Sequence, residues 1–226
     1  MSVRDRATRA LGRQLGHPRG RVGRLVGAVL NRRNGRTVAA AVAAVPVQAG
    51  DELADIGFGG GLGLTLLLRR LDEVADGSGV VHGMDVSETM VAAADRRFRR
   101  HVAAGRLQLH RAPMEALPLH DAAVDAAITL NTIYFLPDLP AAFRELHRVL
   151  RPGGRLVVGL GDPDAMARMA VTGEGFRLRP VGEVTDALGA AGLAVVEHRR
   201  VGSGRNADHL LIATAAPGNG QRSSSA

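Results

Sequence analysis

The residues Asp55 to Gly63, "DIGFGGGLG", set one acid in front of a run in which five of nine positions are glycine. Glycine clusters let another group approach the backbone closely. That group could be a phosphate, a nucleotide, a sulfonium or only a neighbouring helix. The spacing is Asp55-x-Gly57-x-Gly59-x-Gly61. A dinucleotide fingerprint would need Gly or Ala at position 62, where Leu62 stands, and no Gly-Lys-Ser/Thr follows, so a Walker loop is excluded. A nicotinamide oxidoreductase is disfavoured on the same spacing. A second acid, Asp85 in "HGMDVSETM", closes an apolar run. A carboxylate there can accept both hydroxyls of a ribose, or it can simply favour the start of the next helix.

Nucleophiles and bases are sparse. There is no cysteine, hence no disulfide framework and no thiolate metal site, and no metal is expected. Of eight histidines, His82 falls in an apolar strand and His147 on a helix, both structural readings. His17, before Pro18, could act as a base if the N-terminal segment folds over the site. Tyr134, the one tyrosine, follows an apolar strand. It could contact a substrate or pack with Phe135. "NTIY" has the N-x-x-Y spacing of base-modifying amino-methyltransferases, but Thr132-Ile133 stands where two prolines would shape a pocket for a flat base.

The elements that must position these residues alternate. Apolar runs predict strands at 51–56, 79–85, 106–110, 125–130 and 155–160. Helices are predicted at about 62–71, from Ser87 to about Arg100, and at 139–150, with a turn at Arg151 to Gly154. A further helix at 181–191 and strands near 194–200 and 208–214 follow, the last two too close for a helix between them. This is the pattern of a Rossmann-like α/β fold. It implies a seven-stranded, mainly parallel sheet with an antiparallel last strand and helices on both faces. N-terminal to it, Val22, Leu25, Val26, Val29 and Leu30 form one helical stripe, and Val38 to Val45 a helix stopped at Pro46. The division expected is a helical arm or lid over 1–46, a ligand-binding domain over 47–216, and a disordered tail over 217–226.

Charge separates the arm from the body. The net charge is +7 and every basic residue is arginine. Residues 1–36 carry ten arginines against Asp5, a net +9, which leaves the remaining 190 residues at −2. With five Phe, one Tyr and no Trp, surface for stacking bases is scarce, so nucleic acid is not the expected partner. No apolar run approaches the 18 or so residues of a membrane span, and the N-terminus lacks a signal-peptide core. A cytoplasmic protein is expected.

The ordered set "ELADIGFGGG", "GMDVSETM", "MEALPL", "VDAAITLNTIYFLPD" and "ELHRVLRPGGRLVV" resembles the class I S-adenosylmethionine-dependent methyltransferases, most of all the ubiquinone/menaquinone-type branch. The resemblance implies S-adenosyl-L-methionine as cofactor and methyl transfer to a small-molecule acceptor. It also implies residue roles. Gly57, Gly59 and Gly61 pass under the methionine portion, and Asp55 ties the loop and orients the ammonium end. Asp85 grips the ribose and Val86 packs on the adenine. Met114 and Glu115 lie beside the adenine, and Asn131 or the backbone of Leu130 closes the methionine end. Where relatives often carry Asp or Asn to accept the adenine amine, this chain has Pro113. A cyclase that uses the sulfonium without transferring the methyl, and an RNA methyltransferase, are the alternatives.

Overall fold

Residues 34–74, 78–168, 176–204 and 207–216 are described by a computed structural model. The segment 21–33, His17 and the tail from 217 lie outside the described residues. The order is α1 (34–43), β1 (Glu52–Ile56), α2 (Leu62–Glu73), β2 (Val80–Asp85), α3 (Glu88–Arg97), α4 (Arg99–Ala103), β3 (Leu107–Arg111) and β4 (Val124–Leu130). A 3-10 turn at Ile133–Phe135 precedes α5 (Leu139–Val149), β5 (Leu150–Leu160), α6 (Pro163–Arg168), α7 (Val181–Ala190), β6 (Leu193–Val201) and β7 (Asp208–Ala215).

The strands form one seven-stranded sheet in the order β3-β2-β1-β4-β5-β7-β6. β1 to β5 pair in parallel, and β7 runs antiparallel to both β5 and β6. This is the expected Rossmann-like class. Strand order reverses at β1 and β4, and such a switch point opens a crevice beyond the carboxyl ends of the strands. Asp55, Asp85 and Leu130 stand at those ends.

Two cores sandwich the sheet. On one face α2 buries Leu64, Leu67, Leu68 and Leu71, the i, i+3, i+4, i+7 stripe of an amphipathic helix, beside Val42, Val45, Met90 and Phe98. On the other, α5 buries Leu139, Ala142, Phe143, Leu146 and Val149 beside Val184 and Leu188 of α7. Each such leucine or phenylalanine contributes about 1.5–3 kcal/mol by leaving water. α1 belongs to this packing: Val38, Ala41, Val42 and Val45 are buried, and Thr37 donates to Asp208 at the start of β7.

Three local readings change. The described residues are already helical at 34, ahead of Val38, and α1 ends at 43, ahead of Pro46. The helix expected from Ser87 to Arg100 breaks at Phe98, whose φ of −104° and ψ of 18° separate α3 from α4. Arg151 to Gly154 is not a turn between elements. Val124 pairs with Leu150 and Ala126 with Arg155, so these residues form an irregularity inside β5, with Gly153 at φ 78°. A Cβ on Gly154 would lie 2.8 Å from Arg151 O, which is why small residues are needed there.

Candidate functional site

The glycine loop joins β1 to α2 and is held from β2. The amides of Gly57 and Phe58 donate to Met84 O at 2.7 and 3.3 Å, and Gly61 N donates to Phe58 O at 2.9 Å. Gly57 has φ 75°, and a Cβ there would lie 2.1 Å from Thr132 Cγ2, so both conformation and space demand glycine. Gly59, at φ 50°, is different. A Cβ there would meet nothing closer than Gly57 O at 4.0 Å, so the protein leaves that side of the loop open.

Asp85 ties the loop to the next helix. Its Oδ2 accepts the Gly59 amide at 2.9 Å and its Oδ1 the Ser87 amide at 2.8 Å. Ser87 caps α3 by accepting from Met90 N at 3.4 Å, as its position in the sequence predicts. Next to Asp85, Val86 is a large apolar side chain left 38% exposed at the mouth of the crevice.

Asp55 lies under the first turn of α2, buried, and accepts a backbone hydrogen bond from Leu64. Burial and the negative charge of Asp85 push its carboxyl up to about 7, and the Leu64 amide opposes this only in part. No basic side chain pairs with Asp55 among the described residues. Sequence reasoning missed Gly63, whose absent Cβ leaves room for this carboxylate. The available signal was a glycine inside the first turn of a helix, where alanine would otherwise be favoured.

The loop after β3 carries Pro113, exposed, then Met114, buried, and Glu115, partly exposed. It is anchored from α5. Glu145 accepts the Leu117 amide at 2.7 Å, and Arg148 donates to Leu117 O at 3.2 Å and Leu119 O at 2.9 Å. Arg148 also pairs with Glu145 and Asp121, each at 2.7 Å, and these carboxylates hold its guanidinium charged while Arg148 holds Glu145 below the usual carboxylate range.

Beyond β4, Asn131 takes φ 58°, a left-handed conformation that asparagine tolerates, and donates to Gly159 O at 2.9 Å. Thr129 and Thr132 share a hydroxyl hydrogen bond of 2.5 Å. Tyr134 is 2% exposed and its hydroxyl accepts the Gly161 amide at 2.6 Å. Burial pushes its phenol further above the ordinary range, so it stays neutral. Its ring stacks on Phe176 with centroids 4.9 Å apart, and Phe135 meets both rings edge-on. Sequence reasoning missed Phe176. Residues 176–180 strap this wall: Arg177 N donates to Tyr134 O at 2.8 Å, and the buried Arg179 donates to Ile133 O at 3.1 Å and Leu136 O at 2.8 Å.

The fold therefore brings Asp55, Gly57, Gly59, Gly61, Asp85, Val86, Met114, Glu115, Leu130, Asn131 and Tyr134 to the carboxyl edge of one sheet. His82 is buried with Nε2 2.7 Å from Glu52, and His147 packs against Gly192. Among the described residues no cluster of His, Asp or Glu could hold a metal ion, and no helix is long and apolar enough to cross a membrane.

An acid-led glycine loop at the switch point of a 3-2-1-4-5-7-6 sheet defines a methyltransferase-like α/β protein. Residues 54–158 match the methyltransferase domain family, and that stretch is similar to methyltransferases. It is similar to the 27-O-demethylrifamycin SV methyltransferase of Amycolatopsis mediterranei (strain S699), at 34% identity over 51% of this chain and 40% of the relative. It is also similar to the uncharacterized methyltransferase YdaC of Bacillus subtilis (strain 168), at 28% identity over 54% and 62%. The match to the bifunctional biotin-biosynthesis protein BioHC of Teredinibacter turnerae (strain ATCC 39867 / T7901), at 29% identity over 53% of this chain, covers only 21% of that protein, so the chain spans less than two thirds of these relatives. Among solved structures it shares its fold with the [4+2]-cyclase SpnF (TM-score 0.67, 21% identity, 81% of each chain). It shares it too with geranyl diphosphate C-methyltransferase from Streptomyces coelicolor A3(2) (TM-score 0.67, 18% identity, 90% and 89%).

Proposed function

We propose that this protein binds S-adenosyl-L-methionine at the glycine loop and transfers its methyl group to a small-molecule acceptor held beside Tyr134. The observation that carries the reading is the buried Asp55, disfavoured as an anion by Asp85 and without a basic partner among the described residues. A ligand bringing positive charge relieves that arrangement, and the cofactor carries an ammonium and a sulfonium.

The residues present fit the group. Asp55 faces the positive end, and Gly59 leaves its open side for the methionine portion. Asp85, its plane fixed by the Gly59 and Ser87 amides, receives the ribose. Val86 and Met114 flank the adenine, with Glu115 or water accepting its amine because the Pro113 side chain cannot. Leu130 and Asn131 close the methionine end. The sulfonium supplies an already activated methyl, so the work left to the chain is orientation and exclusion of water. Tyr134 serves that as a neutral brace: it fixes Gly161 and presents an aromatic wall with Phe135 and Phe176. An apolar acceptor suits such a wall.

The experiment is incubation with S-adenosylmethionine labelled in its methyl group and a panel of hydrophobic hydroxylated acceptors. Label in an acceptor together with S-adenosylhomocysteine supports the reading. Cofactor binding with rearranged acceptor and no transferred label supports the cyclase alternative, to which the fold shared with SpnF lends weight. A protein that binds neither S-adenosylmethionine nor S-adenosylhomocysteine sinks both.

A further inference from the structure

We propose that Arg97 is a positioning residue for the cofactor loop, acting with Thr65 and Phe98 as a clasp on the loop's outer side. The inference rests on reading the loop as the cofactor's seat. Arg97 closes α3, and its Nη1 donates to Gly60 O at 3.0 Å. Its Nη2 donates to Thr65 Oγ1 at 3.1 Å, and the Thr65 hydroxyl donates onward to Gly61 O at 3.0 Å. The guanidinium lies over the Phe98 ring, 4.9 Å from its centroid. Phe98 is buried, and its Cε2 sits 3.1 Å from where a Cβ on Gly61 would be.

The loop needs such a device. Gly57, Gly59 and Gly61 all have positive φ, in a segment with little side-chain packing of its own. Glycine has the largest conformational freedom to lose on ordering. The β2 side holds the loop by its amides, through Met84 O and Asp85. The carbonyls of Gly60 and Gly61 point the other way, and there Arg97 and Thr65 hold them. A fork of donors over an aromatic face is an arrangement that arginine makes and lysine does not. The clasp keeps the loop in its binding shape before the ligand arrives. A protein whose competent state is only partly populated shows an apparent affinity reduced by that fraction.

A solvated surface arginine would make no difference to binding, and its positive charge would if anything oppose a cationic ligand. Removing it would then leave affinity unchanged or improve it. The clasp predicts the opposite sign. The test is calorimetric titration of the native protein, Arg97→Ala, Arg97→Lys, Thr65→Val and the double variant with S-adenosylhomocysteine. Amide hydrogen exchange at Gly59 and Gly61 is measured in the ligand-free proteins alongside. Arg97→Ala should weaken binding about fivefold to thirtyfold, the range of one or two hydrogen bonds. Arg97→Lys should restore part of the loss. The double variant should lose less than the product of the single losses, because both residues act on one loop. Exchange at the two glycines should quicken without a matching fall in global stability.

Unchanged or tighter binding in Arg97→Ala, independent losses in the double variant, or unaltered glycine exchange would overturn the clasp. If the native protein does not bind S-adenosylhomocysteine, the cofactor reading fails. The exchange measurement then still decides whether Arg97 orders the loop.

Discussion

Gly63 stands over Asp55: a Cβ on Gly63 would lie 2.2 Å from Asp55 Oδ2 and 2.9 Å from its Cγ. The two residues are eight apart in sequence, and the glycine sits in the first turn of a helix. Alanine is favoured over glycine inside a helix by about 0.8–1 kcal/mol. Here the steric term opposes that gain. Gly63→Ala should displace the carboxylate and weaken S-adenosylhomocysteine binding at least about tenfold, or roughly 1.4 kcal/mol. Equal affinity by calorimetry would show that Asp55 does not face the ligand.

The pH dependence of binding follows from Asp55, whose carboxyl burial pushes up to about 7. A cationic ligand needs it ionised, so affinity should fall as pH falls through 7, by up to about tenfold per pH unit. Stability of the ligand-free protein has the opposite sign. The folded state holds this proton more tightly than the unfolded state. The group's contribution is therefore full below about pH 4 and is lost as pH rises through 7. Asp55→Asn should flatten both profiles. A binding profile level from pH 5.5 to 8.5 in the native protein would remove Asp55 from the ligand site.

Asp85→Ala should cost more than ribose contacts alone, because the same carboxylate holds Gly59 and Ser87. Charge-assisted hydrogen bonds contribute about 1.5–3 kcal/mol each, and water recovers part. At least about tenfold weaker cofactor binding is expected, with a fold intact by circular dichroism. Native affinity in the folded variant would exclude the role.

Gly59→Val separates loop from ligand. The protein leaves the space beside Gly59 open, so in the ligand-free state the substitution meets backbone strain at φ 50° rather than a clash. The variant should fold with a moderately lowered melting temperature and fail to bind S-adenosylhomocysteine. Normal binding by a folded Gly59→Val protein would reduce the loop to a turn.

Arg179 tests the wall beside Tyr134. It is buried and donates to two backbone carbonyls and to Glu183 at 2.5 Å. Arg179→Met leaves those carbonyls without a donor, at about 1–3 kcal/mol each before relaxation. The melting temperature should drop by several degrees while S-adenosylhomocysteine affinity stays within about threefold, since among the described residues Arg179 makes no hydrogen bond or ion pair to the glycine loop. No thermal shift would mean that the strap is not fastened there.

The strands were legible because five are apolar on both faces, though their order in the sheet was not, and the loop was legible because glycine and acid types are constrained at close backbone approach. Boundaries went astray where tertiary pairing decides. Nothing in "RPGG" says that Leu150 already pairs with Val124, and nothing local in "RRFRR" says that Phe98 must turn inward onto Gly61. Tyr134 was legible as a residue just after β4, but its hydroxyl partner is a backbone amide 27 residues away. Arg179 and Phe176 carried no motif, because their partners are carbonyls and a ring contributed by another segment.

The placement of β7 between β5 and β6 has a consequence for how the chain is made. β6 is synthesised before β7 yet has no sheet to join until β7 arrives, since its pairing is with β7 alone. Until then β5 presents an unpaired edge of apolar residues, Leu156 to Leu160, the kind of edge that recruits other chains. Leu210 and Ile212 complete one core while Leu211 and Ala213 complete the other. A ribosome stalled before residue 208 would therefore hold a nascent protein with its glycine loop already synthesised and its sheet unclosed.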